Sequence, residues 1–216
     1  MIRFFDLTFS LVLLILLSPL LILVILWNMF TGEHEIFFMQ TRIGKNGKKF
    51  KIIKFATMLK NSSQLGIGGF TELNDSRFLP LGSFMRKTKI NELPQLLNIL
   101  RGEMSLVGFR PLAKASFDKV SEIGDKTTYS EMPGITSPAS IFLRNEEEML
   151  MNVEDKQKYY DEHILPLKFS LDKWWAENRS LFNYFAILFL TALSLFFPLR
   201  VLPINILKDL PRTNFF

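Results

Sequence analysis

The sequence predicts a mixed α/β, mainly helical fold: a single domain seated on a membrane by an N-terminal apolar helix and by interfacial helices near the C-terminus. Three observations carry this reading. Thr8 to Phe30 is a run of 23 residues without a charge. Two Phe- and Ile-rich stretches flank Gly44-Lys45-Asn46-Gly47 as the arms of a hairpin would, and the chain reads as helical from Glu146 to Ser180. At 216 residues, 48% apolar and 22% charged, the chain suits one sizeable domain and neither a disordered nor a fibrous protein. Its mean hydropathy of +0.18 is high for a soluble protein of this size. Composition divides it into a membrane helix (1–30), a globular body (31–180) and a membrane-associated C-terminal helix and tail (181–216).

As an unbroken helix the 8–30 segment would measure about 34 Å, enough to cross a hydrocarbon core of about 30 Å. Ser18-Pro19 stands at its middle, where proline removes a backbone donor and serine can bond the freed carbonyl, so a kink is expected. Basic residues flank the segment on both sides (Arg3; Arg42, Lys45, Lys48, Lys49), so charge asymmetry sets no orientation. The residues alone leave a plain span and a re-entrant helix both standing. A secretory signal would lack Asp6 and would end in small residues rather than Trp27-Asn28-Met29-Phe30, so the segment is expected to be retained.

Glu35–Ile43 and Lys48–Phe55 form the predicted hairpin, with Asn46-Gly47 tolerating positive φ. Asn61 to Asp75, with Gly66, Gly68 and Gly69, lacks dinucleotide-fingerprint spacing and reads as a mobile loop rather than a phosphate cradle. Phe78–Met85 reads as a short helix interrupted by Pro80 and Gly82. From Asn91 to Gly102 a helix is predicted, with Asn91 as N-cap, Pro94 in the first turn and Gly102 as the stop. Met132-Pro133-Gly134-Ile135-Thr136 is turn-rich, and Glu146-Glu147-Glu148 suits a solvated helix start. Leu181–Pro198 is a second apolar run, short and mixed for a span, and Arg200–Phe216 alternates like an interfacial segment. Trp27 fits an interface anchor, whereas Trp174 and Trp175 fit an anchor or a core equally well.

The absence of cysteine excludes disulfides, cysteine-bound metal centres and cysteine nucleophiles, and two distant histidines (His34, His163) argue against a histidine metal cluster. A net charge of +5 points to an anionic partner. Gln40 to Lys60 holds seven basic residues and no acid, which as a bland reading is a solvated strand face near anionic lipid. Arg86, Lys87 and Lys89 precede Asn91-Glu92, and Arg110-Pro111 follows one short loop later. Arginine presents a planar fork matched to phosphate oxygens, and a carboxylate among cations stays ionised and free to ligate Mg²⁺ or accept a proton. The pattern implies a phosphate or diphosphate site at a membrane surface. No nucleic-acid recognition motif accompanies the basic residues, so nucleic acid is not an expected partner.

Taken in order, Ser18-Pro19, Phe37-Phe38-x-Gln40-x-Arg42-Ile43-Gly44-Lys45-Asn46-Gly47, Lys54-Phe55-x-Thr57-Met58, Arg86-Lys87-Thr88, Asn91-Glu92-Leu93-Pro94-Gln95-Leu96, Gly102-Glu103-Met104-Ser105-Leu106-Val107-Gly108-x-Arg110-Pro111 and Pro133-Gly134-Ile135-Thr136 resemble the bacterial sugar transferase family, the monotopic phosphoglycosyl transferases. The resemblance runs from about residue 2 to residue 195. It implies transfer of a sugar-1-phosphate from a nucleoside diphosphate sugar, usually a UDP-sugar, to polyprenol phosphate at the cytoplasmic face of the bacterial inner membrane, initiating surface glycan assembly. It also implies a re-entrant N-terminal helix broken at Ser18-Pro19, among membrane lipids, and a Mg²⁺ site that includes Glu92. A homodimer is left open.

Within that resemblance Arg86 and Arg110 would bind phosphate oxygens, followed by Pro111, with Lys54 in the same electropositive pocket and Asn91 contacting the phosphoryl group. Three positions depart from the family's pattern. Asn91 stands where the family carries its nucleophilic Asp, and a carboxamide is a far poorer nucleophile. Ala56 replaces the arginine of Phe-Arg-Thr/Ser-Met, and Phe109 replaces the proline of Val-Gly-Pro-Arg-Pro. These departures keep a second reading alive: a catalytically silent membrane module that binds nucleotide sugar or a partner glycosyltransferase.

Overall fold

In the computed structural model, which describes residues 1–62, 75–124, 126–150, 153–197 and 205–211, two consecutive helices open the chain: α1 (Ile2–Leu16) and α2 (Ser18–Phe30). They meet at Leu17 with a bend of 63°. The cause is local. Pro19 cannot donate to the Ile15 carbonyl four residues back, and the Ser18 hydroxyl donates to that oxygen instead at 2.7 Å. Among the described residues no single helix is long and apolar enough to cross a membrane, though the bent pair together meets that criterion of length and composition.

Both ends of this pair are tied to the same body. Near the start, Arg3 donates to the carbonyls of Ile99 (2.6 Å) and Met104 (3.0 Å). The Asp6 carboxylate accepts from Ser105 Oγ, the Leu106 N–H and the Tyr184 hydroxyl, each at 2.9 Å. Near the end of α2, the buried Asn28 amide donates to the Ala56 carbonyl at 3.0 Å. Between these anchors the outward faces are apolar and exposed, with Leu7, Leu11, Ile15 and Leu16 on α1 and Ile22, Leu23, Leu26 and Phe30 on α2.

The predicted hairpin is present as β1 (Phe37–Ile43) antiparallel to β2 (Lys49–Phe55), in a register that pairs Phe37 with Phe55 and Ile43 with Lys49. Its turn places Asn46 (φ 54°) and Gly47 (φ 74°) in the left-handed region, as the sequence requires. Further on, α3 (Gly82–Lys87) begins after Pro80 and a left-handed Leu81, so the helix expected over Phe78–Met85 starts later and runs further. Gly66, Gly68 and Gly69 lie outside the described residues.

The helix expected from Asn91 is divided. Ile90–Glu92 is a single 3₁₀ turn entered through a left-handed Lys89, and α4 (Gln95–Leu100) starts only after Pro94. Asn91 lies inside that turn rather than at a cap, and its Oδ1 accepts no hydrogen bond. Proline pre-set for a helix serves as well at the boundary of α4 as inside a longer helix, which is why the punctuation was ambiguous. Gly102 does act as the stop, at φ 83° with its N–H on the Ile99 carbonyl.

β3 (Ser105–Val107) pairs in parallel with β4 (Gly134–Thr136), which brings the segments around Arg110 and Pro133 side by side. Gly108 and Gly134 permit this approach, since a Cβ on Gly108 would lie 2.2 Å from the Met132 carbonyl oxygen. α5 (Lys114–Ile123) and α6 (Pro138–Phe142) flank the pair.

The stretch expected to be helical over Glu146–Ser180 is built from α7 (Glu146–Met149), α8 (Lys156–Tyr159), a π turn (Tyr160–Ile164) and α9 (Leu165–Glu177). Pro166 explains the π turn: it has no N–H for the Glu162 carbonyl, and the ladder widens there. α10 (Leu181–Ser194) is capped by Ser180 and packs Tyr184, Ile187 and Leu190 into the main core with Ile99, Met104, Leu106, Trp174 and Trp175. Both latter tryptophans are thus core residues, and Trp174 donates to the Lys208 carbonyl. The C-terminal tail beyond Ser194 is described only at Leu195–Phe197 and at residues 205–211.

Candidate active site

Glu92 is carried on the 3₁₀ turn between α3 and α4, and β2 runs beside it. The link between them is Asn98, fully buried on α4, which accepts from the Ile53 N–H and donates to the Lys51 carbonyl. That clamp fixes β2 immediately before Lys54. Lys54 Nζ then lies 2.8 Å from Glu92 Oε1, and Arg110, entering after β3, places Nη2 3.0 Å from the same oxygen. Neither cation uses Oε2.

Burial alone would push the Glu92 carboxyl upward, yet Arg110 and Lys54 override it and hold the group well below the usual carboxylate range. Burial pushes the Lys54 ammonium down to about 8 despite Glu92. Glu92 in turn raises Arg110 above its ordinary value. The result is an ionised carboxylate held between two cations.

Lys54 and Arg110 also line an open cleft with about 90 Å³ of internal space, whose other walls include Arg42, Gln95, Pro111, Tyr160 and Lys168. Tyr160 reaches it from the π turn, and Lys168 lies over the Tyr160 ring at 4.8 Å while pairing with Glu146 at 2.6 Å. Of the residues singled out from the sequence, the structure therefore gathers Lys54, Glu92, Arg110 and Pro111. Arg86 makes its contacts with described residues elsewhere, donating to Met58 Sδ at 3.7 Å and lying over the Phe78 ring. Asn91 is buried beside Glu92 with Oδ1 lacking a partner, and Gln95 Nε2, one turn on, is in the same state. Glu103 sits past the far end of α4, accepting from Asn98 at 2.7 Å, and is not part of this cluster.

The other two departures are also buried. Phe109 stands edge-on to Tyr129 at 4.8 Å in a cluster with Leu112, Val120 and Leu165. Ala56 presents its carbonyl to Asn28. From sequence alone Arg42 reads as one charge of a solvated strand face, and no motif marks Lys168, Tyr160, Asn98 or Asp6 for a role in the fold or site. Only Asp6 carried a visible signal, as the lone acid ahead of a long apolar run.

Among the described residues no three His, Cys, Asp or Glu side chains come together to cage a metal ion. The donor set, one ionised carboxylate beside a cationic cleft, fits Mg²⁺ carried on a diphosphate, because that ion keeps waters and needs only one or two protein carboxylates. A carboxylate clamped by cations beside such a cleft is an arrangement suited to phosphate chemistry.

The relatives agree with this class. Residues 1–198 match the family described as bacterial sugar transferase, and the chain belongs to that family. It is 34% identical over 204 residues to the UDP-galactose-lipid carrier transferase of Erwinia amylovora and 35% identical over 208 residues to the undecaprenyl-phosphate galactose phosphotransferase of Salmonella typhimurium. Each match covers 88% of this chain and 39% of the relative, so the chain spans about two fifths of those proteins. The exopolysaccharide production protein ExoY of Rhizobium meliloti is 31% identical over 204 residues, covering 88% of this chain and 82% of the relative.

Proposed function

We propose that this chain is a phosphoglycosyl transferase that moves a sugar-1-phosphate from a nucleoside diphosphate sugar, a UDP-sugar by the names of two relatives, to polyprenol phosphate. The observation that carries the reading is the Glu92 carboxylate fixed between Lys54 and Arg110 beside a cationic cleft, in a chain of this family. In the reaction an oxygen of polyprenol phosphate attacks the phosphorus that bears the sugar. The bond from that phosphorus to the bridging oxygen breaks, and the nucleoside monophosphate leaves with the electron pair. Direct attack is favoured because Asn91 offers no carboxylate and Glu103 lies at the other end of α4.

Arg110 and Lys54 neutralise phosphoryl oxygens, Pro111 shapes the wall beside Arg110, and Asn91 orients the transferred group by a hydrogen bond from its amide. Glu92 is the protein carboxylate that would hold Mg²⁺, which when bound neutralises charge on the diphosphate. The acceptor is a lipid, and the seat for it is the exposed apolar face of the bent α1–α2 pair at the cytoplasmic face of the bacterial inner membrane. Anchorage of Asp6 and Asn28 to one body supports a helix that enters and returns on the same side. Single cysteines at Ile2 and His34 should then both react only from the cytoplasmic side.

UMP release from a set of UDP-sugars, with Mg²⁺ and a short polyprenol phosphate, tests the activity. Asn91 favours the silent-module reading, and no release from any donor in a folded, membrane-bound chain would establish it.

A further inference from the structure

Beyond the Glu92 clamp, the cleft contains cations that the transfer reaction as written does not use. We propose that Arg42 and Lys168 form a subsite for a phosphate monoester dianion, the nucleoside monophosphate that leaves the donor. This deepens the activity proposed above and rests on it.

Four cations face or line the cleft (Arg42, Lys54, Arg110, Lys168), and two carboxylates pair with them, Glu92 and Glu146. Burial pushes the nearby Asp172 carboxyl toward its neutral form despite Lys168 and Arg110, so an excess of two positive charges remains. That excess matches a phosphate monoester, which carries close to two negative charges at neutral pH. A nucleotide gains this charge only when the bond to the transferred phosphorus breaks, so the subsite favours the charge that develops on departure.

Arg42 is poised for such a ligand. Its Nη2 donates to Gln40 Oε1 at 2.5 Å, which fixes the guanidinium, while its Nε is buried without a partner. A buried donor left unmade is costly, and a phosphate oxygen would satisfy it in the planar fork geometry arginine prefers. Lys168 is held similarly, by Glu146 and by the Tyr160 hydroxyl at 3.3 Å.

Position in the fold decides between a nucleotide and a lipid phosphate. β1 begins with exposed Phe37, Phe38 and Met39 next to the end of α2, and Arg42 lies toward its other end, about 17 Å along the strand. The Arg42 end joins the body through the Ile43–Leu112 bridge. A water-soluble ligand reaches that end more readily than a phosphate tethered to a membrane-embedded chain.

The test is equilibrium binding of UMP to the full chain in detergent, without donor sugar or lipid acceptor, by calorimetry. UMP should bind, uridine should not, and Arg42→Gln and Lys168→Gln should each weaken UMP at least tenfold with unchanged melting temperature. Arg42→Lys, which keeps the charge and loses the fork, should fall between, and it decides the matter if Arg42→Gln does not fold. Unchanged UMP affinity in the folded variants overturns the proposal. So does a loss confined to the affinity for short polyprenyl phosphate, which would assign the cleft to the lipid. A chain that binds UMP through Arg42 yet releases none from any UDP-sugar keeps this inference and refutes the activity.

Discussion

Asp6 and Glu92 are both buried carboxylates, 2% and 8% exposed, and their surroundings differ in kind. Asp6 takes three neutral donors from two distant elements, Ser105 and Leu106 on β3 and Tyr184 on α10. Glu92 takes two cations, both on one oxygen. Around Glu92 the bonding is also incomplete: Arg42 Nε, Asn91 Oδ1 and Gln95 Nε2 are buried without partners. Buried atoms without partners also occur elsewhere, at Ser10 Oγ on α1 and at Asp172 Oδ1, so what sets Glu92 apart is that its unpaired neighbours stand beside a cleft lined by cations. The comparison shows Asp6 as an anchor of α1 to the core and Glu92 as a charged group at the cleft.

The largest effect that could break this division is on turnover. Glu92→Gln keeps size and hydrogen-bonding capacity and removes the charge that organises Lys54 and Arg110. Its turnover should fall by orders of magnitude, equivalent to about 3–4 kcal/mol in the barrier. The chain should stay folded, with a lowered melting temperature because Lys54 and Arg110 lose their counter-charge. Near-normal, Mg²⁺-dependent turnover would show that Glu92 is a structural carboxylate like Asp6.

Asp6→Ala should give the reverse pattern. Three donors lose their acceptor inside the core, so a loss of about 3 kcal/mol in chemical denaturation is expected. Turnover per folded molecule should stay within a few-fold of the parent. A collapse of turnover at unchanged stability would place Asp6 in the chemistry. Tyr184→Phe sharpens the same point at smaller scale, since it removes one of the three donors and nothing else. Its cost should be about 1–2 kcal/mol, and combined with Asp6→Ala it should add almost nothing.

That contrast also marks what the sequence could convey. The hairpin was legible because Asn46-Gly47 must take positive φ, and the break at Ser18-Pro19 was legible because proline orphans the Ile15 carbonyl. Lys54, Glu92, Arg110 and Pro111 were legible through spacing and resemblance, and the fold does bring them together. The 3₁₀ turn under Glu92 was not, because Asn91 and Pro94 are equally good marks for a longer helix. Nor was the split of residues 146–180, where Pro166 opens a π turn that local periodicity does not register. Arg42 and Lys168 line one cleft only through tertiary structure, with α5 packed against both β1 and α9, so composition could report Arg42 only as one charge among many. Asp6 shows the opposite case: its charge was visible, and its three partners, all from remote segments, were not.

The smallest expected effect concerns Asn91, where the comparison meets the family's own pattern. With a carboxamide at that position and direct attack, labelled UMP should not exchange into UDP-sugar when polyprenol phosphate is absent, because exchange requires a covalent phosphosugar on the protein. Asn91→Asp should gain this exchange, but weakly. The new carboxylate would be buried beside the ionised Glu92, whose two cations are already engaged, and burial together with a like charge favours its protonated, non-nucleophilic form. Exchange well below the rate of net transfer is therefore expected, measured as label in UDP-sugar over time with each protein's residue 91 verified by mass spectrometry. Exchange by the unsubstituted chain, verified as non-deamidated, would refute direct attack and turn the search to Glu92 itself. Its Oε2, free of both cations, is the oxygen that such a mechanism would have to use.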